Sequence, residues 1–540
     1  MKKYIKTTLI MAVTAFLLYY ILLPAINVHD FTFWMCLLVL SAELLVLLTA
    51  QTAAGKIHLL RKGKGVVVEK NNDIPLGKTA KVMAVVTIAI LICMVLSACI
   101  FSPLFMSGRY ARRIDVKEVS FSEVPPYSFN QTAIIDRDSS EKLGDKVMGE
   151  MTDLISQFAV SKEYSQISWQ EGTYRVTPLA YDGVIKYLRN RSEGIPGYIR
   201  VNTTTGEARL VRLEKKMRFV PSAYLNESLY RQLRFSHPFT IFGDPTFEID
   251  EEGNPYYVCT TYTYSGINSL RRVTGVIIFD PTDGTSQRYS VEDAPTWIDR
   301  VFPETLVLQE LNDYGMYQKG FLNSLFAQEG VTQTSEGYNY ISKDGDIWLY
   351  TGMTSVVSDE SNIGFALVDL RTHEAQFIKT SGADEYSVMA SAEGEVLNYG
   401  YTATFPVLVN INNEPVYLLS LKDSAGLIKM YALVDSRDYQ QVYTVKADKD
   451  ARTAINELIA QFSNGSYIET DLLEKTITID ALKEVILNGN SVFYIRSGSE
   501  IYRLTLSEES AAAAVFLKEG DSLHIFYTEE ENGNVIQLIG

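Results

Sequence analysis

Gly275-Val-Ile-Ile-Phe-Asp280 is followed, four residues after its aspartate, by Gly284, and the same frame recurs three more times along the chain. Gly197-Tyr-Ile-Arg-Val-Asn202, Gly364-Phe-Ala-Leu-Val-Asp369 and Met430-Tyr-Ala-Leu-Val-Asp435 lie over it without gaps, with Gly206, His373 and Tyr439 in the place of Gly284. A short apolar β-branched and aromatic run closed by Asn or Asp, with glycine taking a left-handed position in two copies, reads as strand, turn, strand. Second runs such as Glu207-Ala-Arg-Leu-Val211 and Glu374-Ala-Gln-Phe-Ile378 supply the returning strand.

A further hairpin precedes each frame, turning at Glu171-Gly172, Glu252-Gly253-Asn254, Asp344-Gly345-Asp346 and Asn412-Asn413-Glu414. Each repeat therefore supplies about four antiparallel strands. Between the strand blocks apolar residues recur at helical spacing: Val147, Met148, Met151, Leu154, Ile155 and Phe158; Leu225, Leu229 and Leu233; Pro303-Glu304 onward to Leu325; and Ile455, Leu458, Ile459 and Phe462. A helix covering one face of a four-stranded sheet is the simplest packing of these parts, so the fold class expected is α+β. The alternative is a β-propeller of meander repeats. The unequal separations of the aligned frames, 78, 89 and 66 residues, and the intervening helices weigh against blades that repeat at roughly 40 to 50 residues.

Working outward, residues 1–108 read as a membrane domain. Tyr4 to Val28, Phe31 to Ala50 and Val82 to Met106 are largely apolar, each close to or above the roughly 20 residues that cross a bilayer as a helix. Lys2, Lys3 and Lys6 lie at the start of the first run, and Lys56, Arg61, Lys62, Lys64, Lys70, Lys78 and Lys81 fill the loop of 51–81 between the second and third. Basic loops stay on the cytoplasmic side, which puts everything after Gly108 outside the plasma membrane. Leu96-Ser97-Ala98-Cys99 matches a lipoprotein cleavage pattern, but apolar residues continue to Met106, so the segment reads as a span. Residues 109–215, 216–300, 301–380 and 381–446 then hold the four repeats. In 447–540 a linker helix precedes Val492-Phe-Tyr-Ile495, Ile501-Tyr-Arg-Leu504 and Leu523-His-Ile-Phe-Tyr527, read as a small C-terminal β-barrel of the OB type.

The turns Val201-Asn-Thr-Thr-Thr-Gly-Glu-Ala208 and Phe279-Asp-Pro-Thr-Asp-Gly284 resemble the strand-turn-strand signature of PepSY-type domains. These are small α+β, cystatin-like modules found outside the membrane, often beside peptidases. The whole chain also resembles a family of uncharacterised bacterial multi-span membrane proteins with no assigned chemistry. The signature covers about fifteen residues per repeat, and His373 and Tyr439 depart from its glycine. What the resemblance implies is an extracytoplasmic set of modules with no assigned chemistry.

Through Arg113 the chain carries 13 basic and 4 acidic residues, against 36 and 61 after it, so the two parts have net charges of +9 and −25. A surface that acidic repels nucleic-acid phosphates and anionic lipid head groups, which disfavours sequence-independent binding of either by the large domain. Cys36, Cys93 and Cys99 fall in apolar runs and only Cys259 lies beyond them, so no disulfide framework forms there. His237, His373 and His524 stand at no ligand spacing, no nucleophile elbow or phosphate loop is present, and no cofactor is expected. A metal ligand set is left unassigned.

Two local groups remain. Asp250 and Glu252, with Asp244, Glu248 and Glu251 nearby, form a dense acidic hairpin that reads first as a solvated turn and second as a carboxylate pair or weak calcium tip. Tyr256, Tyr262 and Tyr264 share one face of an unbroken strand, suited to peptide or glycan recognition if exposed and to core packing if covered. The expectation is a membrane-anchored binding or regulatory scaffold acting on an envelope protein or peptide, with a carboxylate-based envelope hydrolase as the alternative. Partners are the lipid bilayer and, through small residues such as Ala80, Ala84, Ala89 and Ala98, a second copy of the chain.

Overall fold

The computed structural model describes residues 2–60, 77–170, 172–356, 358–463, 473–487, 490–505, 516–530 and 533–539. Arg61, Lys62, Lys64 and Lys70 of the basic loop, Glu171 of the first hairpin, and the break at Asn464-Gly-Ser466 lie outside them. Three helices, Lys2–Leu22 (α1), Phe31–Leu60 (α2) and Lys78–Ile100 (α3), are long and apolar enough to cross a membrane, and nearly all of their surface is open. An open apolar surface of that size is unfavourable in water and ordinary in lipid.

The spans are shorter at one end than expected. α1 stops at Leu22 rather than Val28, where Leu23 takes φ 49° ahead of Pro24. α3 stops at Ile100 rather than Met106, because Pro103 has no amide hydrogen to continue it and instead opens a separate helix, Pro103–Tyr110 (α4).

The chain forms two compact units, Met1–Val119 with Asp136–Asp384, which includes the three helices, and Ser120–Ile135 with Glu385–Gly540. The first contains helices Arg137–Glu150 (α5), Val184–Asn190 (α6), Leu229–Ser236 (α7) and Glu304–Tyr317 (α8). It also holds three sheets of one design: two short strands share an edge position, and three antiparallel strands follow in a meander. In the first sheet these are Phe158–Val160 and Ser165–Trp169, then Gly172–Tyr181, Ile195–Asn202 and Ala208–Met217. In the second they are Ile241–Phe242 and Thr246–Ile249, then Pro255–Tyr264, Arg271–Phe279 and Ser286–Tyr289. In the third they are Thr332–Thr334 and Asn339–Lys343, then Asp346–Ser355, Ser358–Asp369 and Ala375–Ile378, with Val116–Val119 added in parallel at the edge. The aligned frame of the sequence falls at the end of the third position each time.

The glycine that opens three of the frames has a steric cause. A Cβ at Gly197, Gly275 or Gly364 would stand 2.2, 1.9 or 2.4 Å from the carbonyl oxygen of Val211, Tyr289 or Ile378 on the next strand. The turn closing each frame is also shared: the Asn202, Asp280 and Asp369 side chains accept the backbone N–H two residues on, and Gly206, Gly284 and His373 all sit at positive φ. His373 thus occupies the left-handed place of a glycine. Tyr439 does not, since the fourth turn is wider, with Asp435 paired to Gln441.

Strand Arg271–Phe279 shows why its run is continuously apolar. Ile277 and Phe279 enter a core with the first sheet and α7, while Val276 and Ile278 enter another with α8 and the third sheet. A strand buried on both faces has no polar side to alternate with. The helical periodicity through Phe158 overran: α5 ends at Glu150, and Leu154 and Phe158 reach the same core from a turn and a strand. Likewise the stretch from Pro303 breaks after α8 at Gly320, which has φ 86°.

The second unit holds the fourth meander, Thr402–Ala403 and Val407–Ile411, then Glu414–Lys422, Ile428–Asp435 and Val442–Lys446. Helices Glu385–Glu395 (α9) and Ala451–Ser463 (α10) accompany it. Residues 120–135, which the sequence reading put in the first repeat, are stitched into it: the Tyr127 N–H donates to Asn410 O at 2.8 Å, Asn410 Nδ2 to Val124 O at 2.6 Å, and Arg452 to Asn130 Oδ1 at 2.7 Å. The C-terminal strands form a six-stranded sheet whose end strands, Leu473–Thr478 and Ala481–Leu487, do not pair with each other among the described residues. The closed OB barrel expected from strand spacing is not shown by these pairings, since spacing does not encode which edges meet.

Candidate functional site

The hairpin singled out in the sequence is a turn. Asp250 is buried and its carboxylate is used up locally, Oδ1 accepting the Glu252 and Asn254 N–H groups at 3.1 and 2.7 Å and Oδ2 accepting Asn254 Nδ2 at 2.9 Å. Its carbonyl accepts the Trp169 indole N–H at 3.1 Å. Glu252 is exposed beside it. The tyrosine row faces the core: Tyr262 is buried, Tyr264 lies 6.5 Å from it ring to ring, and Tyr256 tilts against Trp297 at 5.1 Å, all against the cluster that contains α8. Cys259, on the opposite face of that strand, is fully buried, and burial pushes its thiol pKa up.

An acidic pair does exist, one strand earlier than the hairpin tip. Glu248 on Thr246–Ile249 and Asp299 in the connection to α8 are both buried, and the Asp299 N–H donates to Glu248 Oε2 at 3.0 Å. The Ser168 N–H donates to Asp299 Oδ2 at 2.8 Å, and Ser168 Oγ lies 3.4 Å from Ser342 Oγ. First-position strands of all three sheets therefore meet at one polar centre. Burial pushes Glu248 up to about 7, against the Asp299 amide, Arg300 and the Thr246 hydroxyl. Burial first, and then the Glu248 charge, push Asp299 well up. Such a pair holds a proton at neutral pH, but it stands inside the protein, away from any solvent-reached substrate. Among the described residues no group of three or more His, Cys, Asp or Glu is placed to hold a metal ion.

The most heavily built polar site is where the membrane helices join the sheets. Arg113, just past α4, is 4% exposed and bonds Glu310 Oε1 at 3.0 Å and Asp313 Oδ2 at 2.8 Å on α8. Burial pushes Asp313 up, opposed by Arg113. Glu310 Oε2 takes His373 Nε2 at 2.8 Å, and the His373 ring stacks on Phe302 at 4.2 Å. Next to this network Tyr110, Arg113, Tyr264, Asn268, Arg271 and Gln309 line an open cavity of about 220 Å³.

The same loop grips the helix ends: the Asn268 N–H donates to His29 O at 3.0 Å, Ile267 N–H to Ser97 Oγ at 2.8 Å, and His29 Nδ1 lies 3.1 Å from Gly266 O. Arg234 Nε donates to Leu23 O at 2.8 Å and Asn27 Nδ2 to Phe239 O at 3.1 Å. Sequence reasoning missed this site. Its only trace was Arg113, a basic residue on the wrong side for the charge rule, and His373, a histidine where the repeat has glycine. Within the bundle Glu43 of α2 accepts the Thr14 hydroxyl of α1 at 2.9 Å, a paired ionisable group of the kind that membrane helices rarely carry.

No protein-family model matches the chain, and no curated protein matches it. Among solved structures it is similar to the crystal structure of an exo-β-1,3-galactanase from Phanerochaete chrysosporium with β-1,3-galactotriose, at 9% identity and a TM-score of 0.16. The match covers 70% of this chain and 66% of that one, just under two thirds of its length. A likeness at that score carries no argument about fold or activity.

Proposed function

We propose that the chain is a membrane-anchored scaffold that holds its sheets outside the cytoplasm and presents them to an envelope protein or peptide. The observation that carries this reading is the junction. The ends of the spans are hydrogen-bonded to α7 and to the second sheet's loops, and Arg113 is ion-paired to α8, so the three sheets of the first unit form a fixed platform rather than a tethered domain. From that junction the strand Pro255–Tyr264, ten residues long, carries the Glu252 tip roughly 33 Å away at ordinary strand rise.

The lysines in the first turns of α1 and in the loop before α3 support the outward orientation. The shared meander and left-handed turn support kinship with PepSY-like modules and with the uncharacterised membrane family. The meeting of three first-position strands at Glu248, Asp299, Ser168 and Ser342 also favours a radial, blade-like arrangement within the first unit, since a linear stack would keep the first and third sheets apart. Neither Asp250, bound into its turn, nor the buried Glu248 and Asp299 supports a hydrolase.

The test is photo-crosslinking in intact cells from a reactive residue at Glu252, followed by mass spectrometry. Gly253, at φ 84° with its carbonyl bonded to Tyr198, is a poor place for one. Recovery of one envelope protein or peptide is expected. Recovery of nothing but the chain itself sinks the scaffold reading.

A further inference from the structure

We infer that the first unit docks directly onto the lipid leaflet at its own side of the membrane, through an apolar surface beside α1 that the spans do not contain. This goes beyond the scaffold reading and rests only on the three helices crossing a bilayer.

Phe235 on α7 stacks on Tyr19 with ring centroids 6.0 Å apart and tilts against Tyr20 at 6.4 Å. Arg231 donates to Tyr20 O and lies over the Tyr20 ring at 4.4 Å. Tyr19 and Tyr20 are in the last turn of α1, roughly 3 to 5 Å short of its end at the helical rise. α7 is therefore level with the last turn of a membrane span, the depth at which interfacial aromatic residues reside.

At that level the surface is apolar and open. Phe239 is 66% exposed while its carbonyl is bonded to Asn27 of the α1–α2 turn. Leu225, more than half exposed, is held at φ 54°, a conformation that L-residues avoid, and its carbonyl is bonded to the same Arg231. α6 adjoins it through Tyr187, whose hydroxyl donates to Tyr224 O at 2.9 Å, and turns out Ile185, 80% exposed, and Leu188.

Charge points to the same occupant. Residues 182–191 and 225–236 carry Lys186, Arg189, Arg191, Arg231 and Arg234 against Asp182 and Glu227; Lys186 pairs with Asp182, Arg191 with Glu227, and Arg234 is buried, which leaves Arg189 and Arg231 as the surplus cations beside the apolar side chains, in a chain whose net charge after Arg113 is −25. Apolar side chains flanked by cations match acyl chains below phosphate head groups. A similar surface flanks α3, where Tyr110 donates to Phe101 O and meets Tyr317 edge-on, Tyr317 stacks on Phe321, and Leu325 and the 81% exposed Phe326 follow.

The experiment uses the full chain in nanodiscs of phosphatidylcholine, with or without bromine near the head end of the acyl chains. Phe239→Trp and Ile185→Trp each add one indole to the natural four, and Glu252→Trp adds one at the distant hairpin tip. Bromine is expected to remove the added emission of the first two and to leave that of the third. Equal emission from all three, as when a second copy covers the patch, overturns the docking while leaving the spans intact. A chain that does not enter nanodiscs overturns both.

Discussion

Replacing Glu248 with glutamine tests the polar centre. Glu248 is buried, its Oε2 accepts the Asp299 N–H, and its Oε1 accepts no hydrogen bond. Burial raises its pKa from the ordinary 4.5 to about 7. A group with a raised folded pKa adds stability in full below its unfolded value and loses it as pH rises through the folded one. The contribution of Glu248 is thus complete below about pH 4.5 and gone above about pH 7. At ~1.4 kcal/mol per unit the span is worth about 3 kcal/mol, or on the order of 5 °C in apparent Tm. Glutamine keeps the oxygen for the Asp299 amide and is neutral throughout. Thermal unfolding of the reconstituted chain, followed by tryptophan emission between about pH 5 and about pH 8, should fall with pH in the natural protein and fall much less in E248Q. Asp299, raised in the same direction, leaves a residual slope that E248Q/D299N removes. Identical pH profiles for the natural protein and E248Q would refute the assignment of a proton to this carboxyl.

Arg113→Met leaves Glu310 and Asp313 buried without their cation and should lower stability by about 3 kcal/mol or more, with E310Q in the same chain restoring part of it in the same melt. His373→Gly relieves left-handed strain of ~1 to 2 kcal/mol. It also loses a ring stack of about 1 kcal/mol and a hydrogen bond to a buried carboxylate of about 1.5 to 3. Net destabilisation is expected, and a higher Tm would show that strain dominates. Gly275→Ala drives a Cβ to 1.9 Å from Tyr289 O at φ 139°, a change expected to cost about 3 kcal/mol or more and visible as loss of folded protein in size-exclusion chromatography. Asp250→Ala should cost about 1 kcal/mol through its lost turn bonds, while Glu252→Ala shifts Tm little; equal losses from both would mean that the turn is not held by Asp250.

The legible part of the fold was local. Hairpins at Asp344-Gly345 and Asn412-Asn413 formed with both residues at positive φ, as tight turns of that composition require. Most strand and helix blocks followed their periods, but Leu225 falls in a separate turn ahead of α7 and the stretch from Pro303 breaks at Gly320. Leu154 and Phe158 mimic a helical stripe because burial in a shared core, not backbone period, fixes their spacing.

The candidate sites divide in the same way. Asp250 was readable as a turn residue because its partners lie within four positions. Glu248 and Asp299 are 51 residues apart, and Arg113 and Glu310 are 197 apart, so no local pattern connects them.

By itself the sequence determined what each segment seeks: lipid for three apolar runs, a meander for each repeated frame, and an acidic surface on the chain beyond Arg113. Those preferences reside in single residues and their near neighbours. Tertiary structure alone decided that the tyrosine row is covered, that two carboxyls share one dry centre, that residues 120–135 belong with the fourth sheet, and that Arg113 bolts the spans to α8. Each of these depends on which distant surfaces exclude water from one another, and water exclusion is a property of the packed chain rather than of any stretch of it.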